Sequence, residues 1–271
     1  MTLLLQTGIE SKIDAKIRGE IVRVGSSVRQ LIDYKNCRVT DINIIDGGFG
    51  QVRKVSGSRS LRRFYEAGRR YAKQEVLHLL YGDQISRDRK TIILDAHEAL
   101  EHDELRHKFD ACITSNVLEH SPNPIFLLLN FYFLTKKSGY QFHAIPHYKY
   151  TFDMYRQPTP VKHLLDDFLS RTGFDDTTHN ADYVESAVVK HGYFRQFHET
   201  RPVAYPYIHF HVFDEHNVRE LISLMFEEVT NDIIKSEVFS DNLVLFKNRL
   251  NDKFVEQFRT TIMAYSEKLL D

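Results

Sequence analysis

The 271-residue sequence predicts an α/β protein built on a seven-stranded, mostly parallel sheet that ends in an antiparallel hairpin, with helices on both faces. Two observations predict it. Short apolar runs rich in Val and Ile alternate with longer helix-like runs along the first 150 residues, and the last such pair, near the C-terminus, is joined by a tight polar turn. Length and composition are compatible with one domain over 1–271 that buries a full core.

Taken in order, the strand-like runs are "EIVRVG" (20–25), "CRVTDINII" (37–45), "TIILDA" (91–96), "FDACITS" (109–115) and "YQFHAIP" (140–146). Between the fourth and fifth, "PIFLLLNFYFLTKKSG" is apolar on nearly every face, carries two lysines at its end and reaches Gly139, which predicts a helix buried against the sheet and stopped by that glycine. Two segments break the alternation. About 47–90 is a helical insertion with eleven Lys/Arg against four Asp/Glu and a basic helix expected over 58–81, and about 147–206 is an aromatic, His-rich segment suited to covering a substrate. Helical spacing recurs there in "PVKHLLDDFLSRTG" and around "ADYVESAVVKHGYFRQFH". After it, "YIHFHVFDEHNVRELISLMFEE" reads as strand or loop and then helix, and "DIIKSEVFSDNLVLFKN" as the terminal hairpin, turning at "FSDN".

Composition narrows the function classes. Lys+Arg 36 against Asp+Glu 37 gives a net charge of −1, without the basic excess on which nucleic-acid binding relies. Two cysteines, Cys37 and Cys112, both in apolar runs, argue against a disulfide framework or structural zinc–thiolate site and suit a reducing cytoplasm. The longest apolar run, ten residues at 125–134, is well short of the roughly 20 that a membrane span requires. The N-terminus carries no basic lead and long apolar stretch of the secretory kind. A cytoplasmic enzyme of small molecules, with neither nucleic acid nor membrane as partner, is the expectation.

Some residues stand out before any comparison. Asp41 and Asp95 lie near the ends of successive strands, where a carboxylate either caps a local turn or faces a ligand. "RSLRRFYEAGRRYAK" spreads arginines over more than one helix face; Arg62 and Arg63 could fork onto an anionic acceptor or simply face water. Among fourteen histidines, His209 and His211 would share one face if "HFH" is extended, a spacing that could ligate a metal. No Cys and no obvious carboxylate partner follows at a fixed offset, so no metal is expected.

The stretch "FDACITSNVLEHSPNPIFLLLNFYFLTKKSGYQFHAIP" resembles the fourth strand, following "vlEH" segment, helix and turn into strand five of the class I S-adenosylmethionine-dependent methyltransferases. "HYKYTFDMYRQPTPVKHLLDDF" is similar to a subgroup often found among genes for bacterial surface polysaccharides, clearly over about 90–170 and more weakly to 250. The resemblance implies a Rossmann-like sheet holding S-adenosylmethionine across the carboxyl ends of its strands. It implies Gly25 beside the methionine part, Asp41 on the ribose hydroxyls, Asp95, Ala96 and His97 around the adenine, Ser115 and Asn116 flanking the sulfonium, and Glu119 and His120 shaping the turn. The family's first motif is acidic-x-Gly-x-Gly; here Arg23 takes the acidic position, and Ser26 and Ser27 follow the single Gly25.

Methyl transfer to a hydroxyl requires alignment and removal of one proton, a task for imidazole near neutral pH. His209, which matches a His recurring in the subgroup, is the first candidate base and His147 the second, with Tyr150, Asp153 and Arg156 shaping the acceptor pocket. The acceptor expected is a sugar, nucleotide sugar or phosphorylated metabolite, with O-methylation favoured over N-methylation. Two other classes stay open: a non-catalytic methyltransferase-like scaffold, and a nicotinamide-dependent enzyme, the latter disfavoured because no Gly-x-Gly-x-x-Gly follows the first strand. The aromatic segment could equally form a homodimer interface.

Overall fold

The computed structural model describes residues 16–25, 37–43, 89–190, 192, 208–229, 234–236 and 241–270. Parallel strands β1 (Gly19–Gly25), β2 (Cys37–Asn43), β3 (Arg89–Ile93), β4 (Phe109–Ser115) and β5 (Thr135–Pro146) are joined at the β5 edge by antiparallel β7 (Asp241–Lys247) and the three-residue β6 (Ile234–Ser236). The order across the sheet is β3-β2-β1-β4-β5-β7-β6. Strand order reverses between β1 and β4, both parallel, which opens the crevice where open α/β sheets hold ligands.

β4 occupies the residues that its apolar pattern marks, 109–115, and every residue but Asp110 is buried. The middle of the sheet is covered on both faces, so its strands need no polar alternation. On one face Val22, Val24, Ile42, Cys112, Val244 and Phe246 join the core built with the helices. Ile21, Val39, Ala111, Ile113, Phe142 and Leu245 lie on the other. The described helices α1 (Pro124–Leu134), α2 (Val161–Ser170), α4 (Glu215–Met225) and α5 (Asp252–Tyr265) all contribute to the first core. A short helix α3 (Asn180–Tyr183) continues in wider turns over Val184–Lys190. The helices expected on the second face, the basic helix expected over 58–81 and the rest of the insertion up to residue 88 fall outside the described residues.

α1 begins as its sequence requires. Asn123 caps it by accepting from the Phe126 N–H at 3.0 Å, and Pro124 fills the first turn, where its missing N–H costs nothing. All its residues but Phe126 are buried, each large apolar side chain worth about 1.5–3 kcal/mol. Its end corrects the sequence expectation: the helix stops at Leu134, and 135–139, with both lysines and Gly139, belong to β5. The reason is tertiary. Asn248, fully buried, donates through Nδ2 to the carbonyls of Tyr132, Thr135 and Lys136 at 3.1, 2.8 and 3.1 Å, taking carbonyls that a longer helix would use. Thr135 is thereby free to pair with Phe109 at the start of β4.

Two boundaries shift and a third is not fully described. β3 runs 89–93 rather than 91–96, because Asp95 caps a tight helical turn at Ala96–Glu101. β2 is described to Asn43, with 44 and 45 outside the described residues. Asp241 and Asn242, expected in the hairpin turn, are the first residues of β7, paired with Pro146 and Ile145.

Candidate active site at the carboxyl ends of the strands

The site grows from the ends of β1 and β4. Gly25 closes β1 at φ +86°, register-paired with Ser115; a Cβ there would collide with Val117 Cγ2 and the Ser115 carbonyl oxygen. Only glycine adopts that backbone at that separation without strain. Next door Asn116, at φ +55°, turns the chain out of β4, its N–H held by the Ala144 carbonyl at 3.0 Å and its Oδ1 accepting from Ser115 Oγ at 3.0 Å. Asn tolerates this left-handed conformation better than other residues with a side chain.

A tight turn at Leu118–His120 follows. His120 donates from Nδ1 to the Ile208 carbonyl at 2.8 Å, and burial drives its pKa down to about 3, so the ring is neutral and Nε2 keeps its lone pair. Nε2 lies 3.7 Å from Glu119 Oε1. Glu119 is 1% exposed, and neither carboxylate oxygen makes a hydrogen bond of ordinary geometry. Burial raises its pKa well above the usual range, with the Asp153 and Asp241 charges adding to the effect and the Asn116 side chain only moderating it. A protonated carboxyl can donate a hydrogen bond that an ionised one cannot.

The raised pKa fixes a sign. Folded Glu119 keeps its proton at pH values where the unfolded side chain has lost it, so the native state binds more protons and stability falls as pH rises above the ordinary carboxylate pKa. Glu119→Gln, which mimics the neutral acid, is expected to flatten that fall. Denaturant unfolding of both proteins across mildly acidic to neutral pH checks it; parallel profiles would place the ionised form in the native state.

His209 completes the cluster. Its Nδ1 lies 2.5 Å from Asp153 Oδ2, and its ring meets that of His120 edge-on at 4.7 Å. Burial alone would raise Asp153, but the hydrogen bond and charge of His209 and the Arg156 guanidinium hold it below the usual carboxylate range. An ionised carboxylate only accepts, so Nδ1 carries the hydrogen, and in the neutral ring Nε2 presents a lone pair. Ring nitrogens of His120 and His209 and a Glu119 oxygen all lie within 4.8 Å of one another.

Other predicted residues are placed as follows. Arg156 directs its donors inward: Nε to Asp182 at 2.6 Å, Nη1 to Asp153 and the His209 carbonyl at 2.9 and 2.7 Å, and Nη2 to the Phe210 carbonyl at 3.1 Å. It therefore braces the Asp153–His209 pair. His147 accepts from the Lys149 N–H at Nδ1, 3.3 Å, and bonds Glu215 through Nε2 at 2.8 Å, so both ring nitrogens have protein partners. Tyr150 is exposed at 43%. Asp41 sits two residues before the end of β2, on the face that carries Val39, where Arg23 Nε donates to its Oδ1 at 2.7 Å. Asp95 accepts through Oδ1 from the His97 N–H and ring Nδ1, each at 2.9 Å, while His97 Nε2 meets Ser121 Oγ at 2.8 Å. Ala96 beside them is fully buried. That Asp–His–Ser chain has the order of a nucleophilic triad, but Ser121 is 0% exposed and its Oγ also accepts from the Asn123 N–H, so it ties strand ends together. Arg62 and Arg63 lie outside the described residues.

His209 and His211 do not share a face. The chain bends at Phe210, whose N–H bonds the Glu119 carbonyl at 2.8 Å, and sends His209 to Asp153 and His211 to Asp167. Sequence reasoning missed Ser121, Asp167 and Asp182, which become partners only through long-range packing.

This is an open α/β sheet with a histidine–carboxylate cluster at the carboxyl end of a central strand. No family model matches the chain, and no curated protein matches it. Solved structures with a similar course include the CurJ carbon methyltransferase, 11% identical over 88% of this chain and 50% of its own, with a TM-score of 0.41. A provisionally named Zn-dependent alcohol dehydrogenase of Rhodobacter sphaeroides is 15% identical over 90% of each chain, with a TM-score of 0.46. An arsenic(III) S-adenosylmethionine methyltransferase of Chlamydomonas reinhardtii is 12% identical over 46% of this chain and 38% of its own, with a TM-score of 0.30. The chain spans half or less of those two methyltransferase chains. Likeness at this level, across two enzyme classes, decides neither reaction nor substrate.

Proposed function

We propose that the protein is an S-adenosylmethionine-dependent methyltransferase acting on a hydroxyl of a small polar acceptor, a sugar, nucleotide sugar or phosphorylated metabolite. The observation that carries the reading is the buried Asp153–His209 pair, 2.5 Å apart, beside Glu119 and His120 at the end of β4. Asp153 fixes the tautomer, and His209 Nε2 would take the acceptor proton as the oxygen attacks the sulfonium methyl. The acceptor oxygen gains the methyl, the S–CH₃ bond breaks, and S-adenosylhomocysteine leaves. Positive-φ turns at Gly25 and Asn116 bring bare backbone to the crevice between β1 and β4, which suits the cofactor's methionine end. When bound, the cofactor supplies the electrophilic methyl; the chain positions, desolvates and removes a proton. Arginines of the 47–90 insertion would meet an acceptor phosphate.

One observation favours the scaffold reading instead. Arg23 replaces the acidic residue of the family's first motif and engages Asp41, the residue expected on the ribose. An assay decides between them: purified protein, methyl-labelled cofactor and a panel of sugars, nucleotide sugars and sugar phosphates, with S-adenosylhomocysteine measured as product. Acceptor-dependent product that falls steeply in His209→Ala, with cofactor binding kept, supports the enzyme. No product with any acceptor, with cofactor binding absent too, supports the scaffold.

A further inference from the structure

Four side chains unused by the methyl-transfer reading converge beyond Ser121. One turn of α2 presents His163 and Asp167 at i, i+4; His179 directly precedes α3; His211 follows the bend after His209. His163 Nε2 and His179 Nε2 are 2.9 Å apart, and Asp167 Oδ2 lies 3.0 Å from His211 Nε2, 3.4 Å from His163 Nε2 and 3.7 Å from His179 Nε2. All four donor atoms fall within 4.8 Å of one another. A tetrahedral ion with bonds of about 2.0–2.1 Å has donor–donor edges of roughly 3.3 Å, and the observed edges straddle that value.

Hydrogen bonds behind the ligands fix where the lone pairs point. His211 Nδ1 faces the Ser121 carbonyl at 3.0 Å and must carry a hydrogen, so a neutral ring directs its Nε2 lone pair at the Asp167 carboxylate. His179 Nδ1 faces Asp176 Oδ2 at 2.7 Å, so in the neutral ring its Nε2 lone pair points at His163 Nε2. Asp167 Oδ1 accepts from Thr172 Oγ1 at 2.9 Å, which orients Oδ2 inward. A cation in the small gap between these four atoms would take a lone pair from each neutral imidazole and one from the carboxylate at once. A carboxylate behind one imidazole, a backbone carbonyl behind another and a hydroxyl behind the carboxylate are the outer partners that metal ligands use.

We propose that His163, Asp167, His179 and His211 bind one divalent transition-metal cation, with Zn²⁺ the best match, in a closed four-ligand site. Three imidazoles and one carboxylate suit zinc, and four protein ligands leave no open position, the mark of a structural ion. His163, its side chain 47% exposed, gives the route of entry. The ion would staple α2, the turn before α3 and the 208–213 segment together, and so hold His209, two residues from His211, in place against Asp153.

Metal content and spectroscopy of the full chain test this independently of any methyl transfer. Elemental analysis is expected to find stoichiometric Zn²⁺ after purification or after titration of chelator-treated protein, and Co²⁺ in its place should give the intense visible bands of a tetrahedral site. His163→Gln, at an exposed ligand, and Asp167→Asn should each weaken Zn²⁺ binding by more than about tenfold, the loss that even outer-partner changes produce. Asp176→Asn should weaken it less, and His102→Gln, at an exposed histidine elsewhere, not at all. Folded protein that takes up no stoichiometric Zn²⁺ or Co²⁺ overturns the proposal. So does uptake unchanged in His163→Gln and Asp167→Asn but lost in His120→Ala, which would move the ion to the Glu119 cluster.

Discussion

His209→Ala is expected to lower methyl-transfer turnover by about 10²–10⁴-fold, the range that a positioned general base supplies, while leaving S-adenosylmethionine affinity within about twofold. The loss should appear in kcat because the imidazole meets the acceptor hydroxyl and not the cofactor. Asp153→Asn should lower kcat too, by less: its amide oxygen can still accept from Nδ1–H, but the amide lacks the charge that stabilises the protonated ring. Asp153 also anchors Arg156 at 2.9 Å, so thermal unfolding of both variants must accompany the kinetics. Loss of cofactor affinity in parallel with kcat would mean that the pair holds the fold of the site and takes no proton.

The largest expected stability effect lies deeper in the sheet. Arg23→Met leaves Asp41 buried, at 3% exposure, without the guanidinium that bonds it, and should cost about 3–5 kcal/mol. Replacing both partners, Arg23→Met with Asp41→Leu, should recover most of that loss, because an apolar pair of similar volume avoids the desolvation of two ions. Denaturant midpoints of the wild type and the three variants close the cycle. A single substitution costing under about 1 kcal/mol would mean that water reaches the pair and screens it.

Much of the sheet is legible in the sequence because its parallel strands, buried on both faces, are short apolar runs ended by polar residues. β4 matches its run residue for residue. The end of α1 was not legible: the residue that stops it, Asn248, is 116 positions from the carbonyl of Tyr132 that it binds. α5 went unread although Asn251 caps it and Phe254, Phe258 and Ile262 repeat at four-residue spacing, a signal present in the sequence. In the site, His209 and Asp153 were both legible as candidates, but their contact spans 56 residues and follows only from the fold. The i, i+4 spacing of His163 and Asp167 puts both on one face of a helix that the sequence predicts, though what they meet there does not follow from it. His211 was legible as a possible ligand, but beside His209 on one face, and the bend at Phe210 sends the two apart. Likewise the engagement of Asp41 by Arg23 follows from the β1–β2 register, which places the two side by side.

Binding of the cofactor tests the central claim most directly. Calorimetric titration of the full chain with S-adenosylmethionine and S-adenosylhomocysteine, with NAD as control, is expected to show saturable binding of both sulfur compounds and none of NAD, retained in His209→Ala. Absence of binding by either sulfur compound in folded protein, or saturable binding of NAD, would contradict the account.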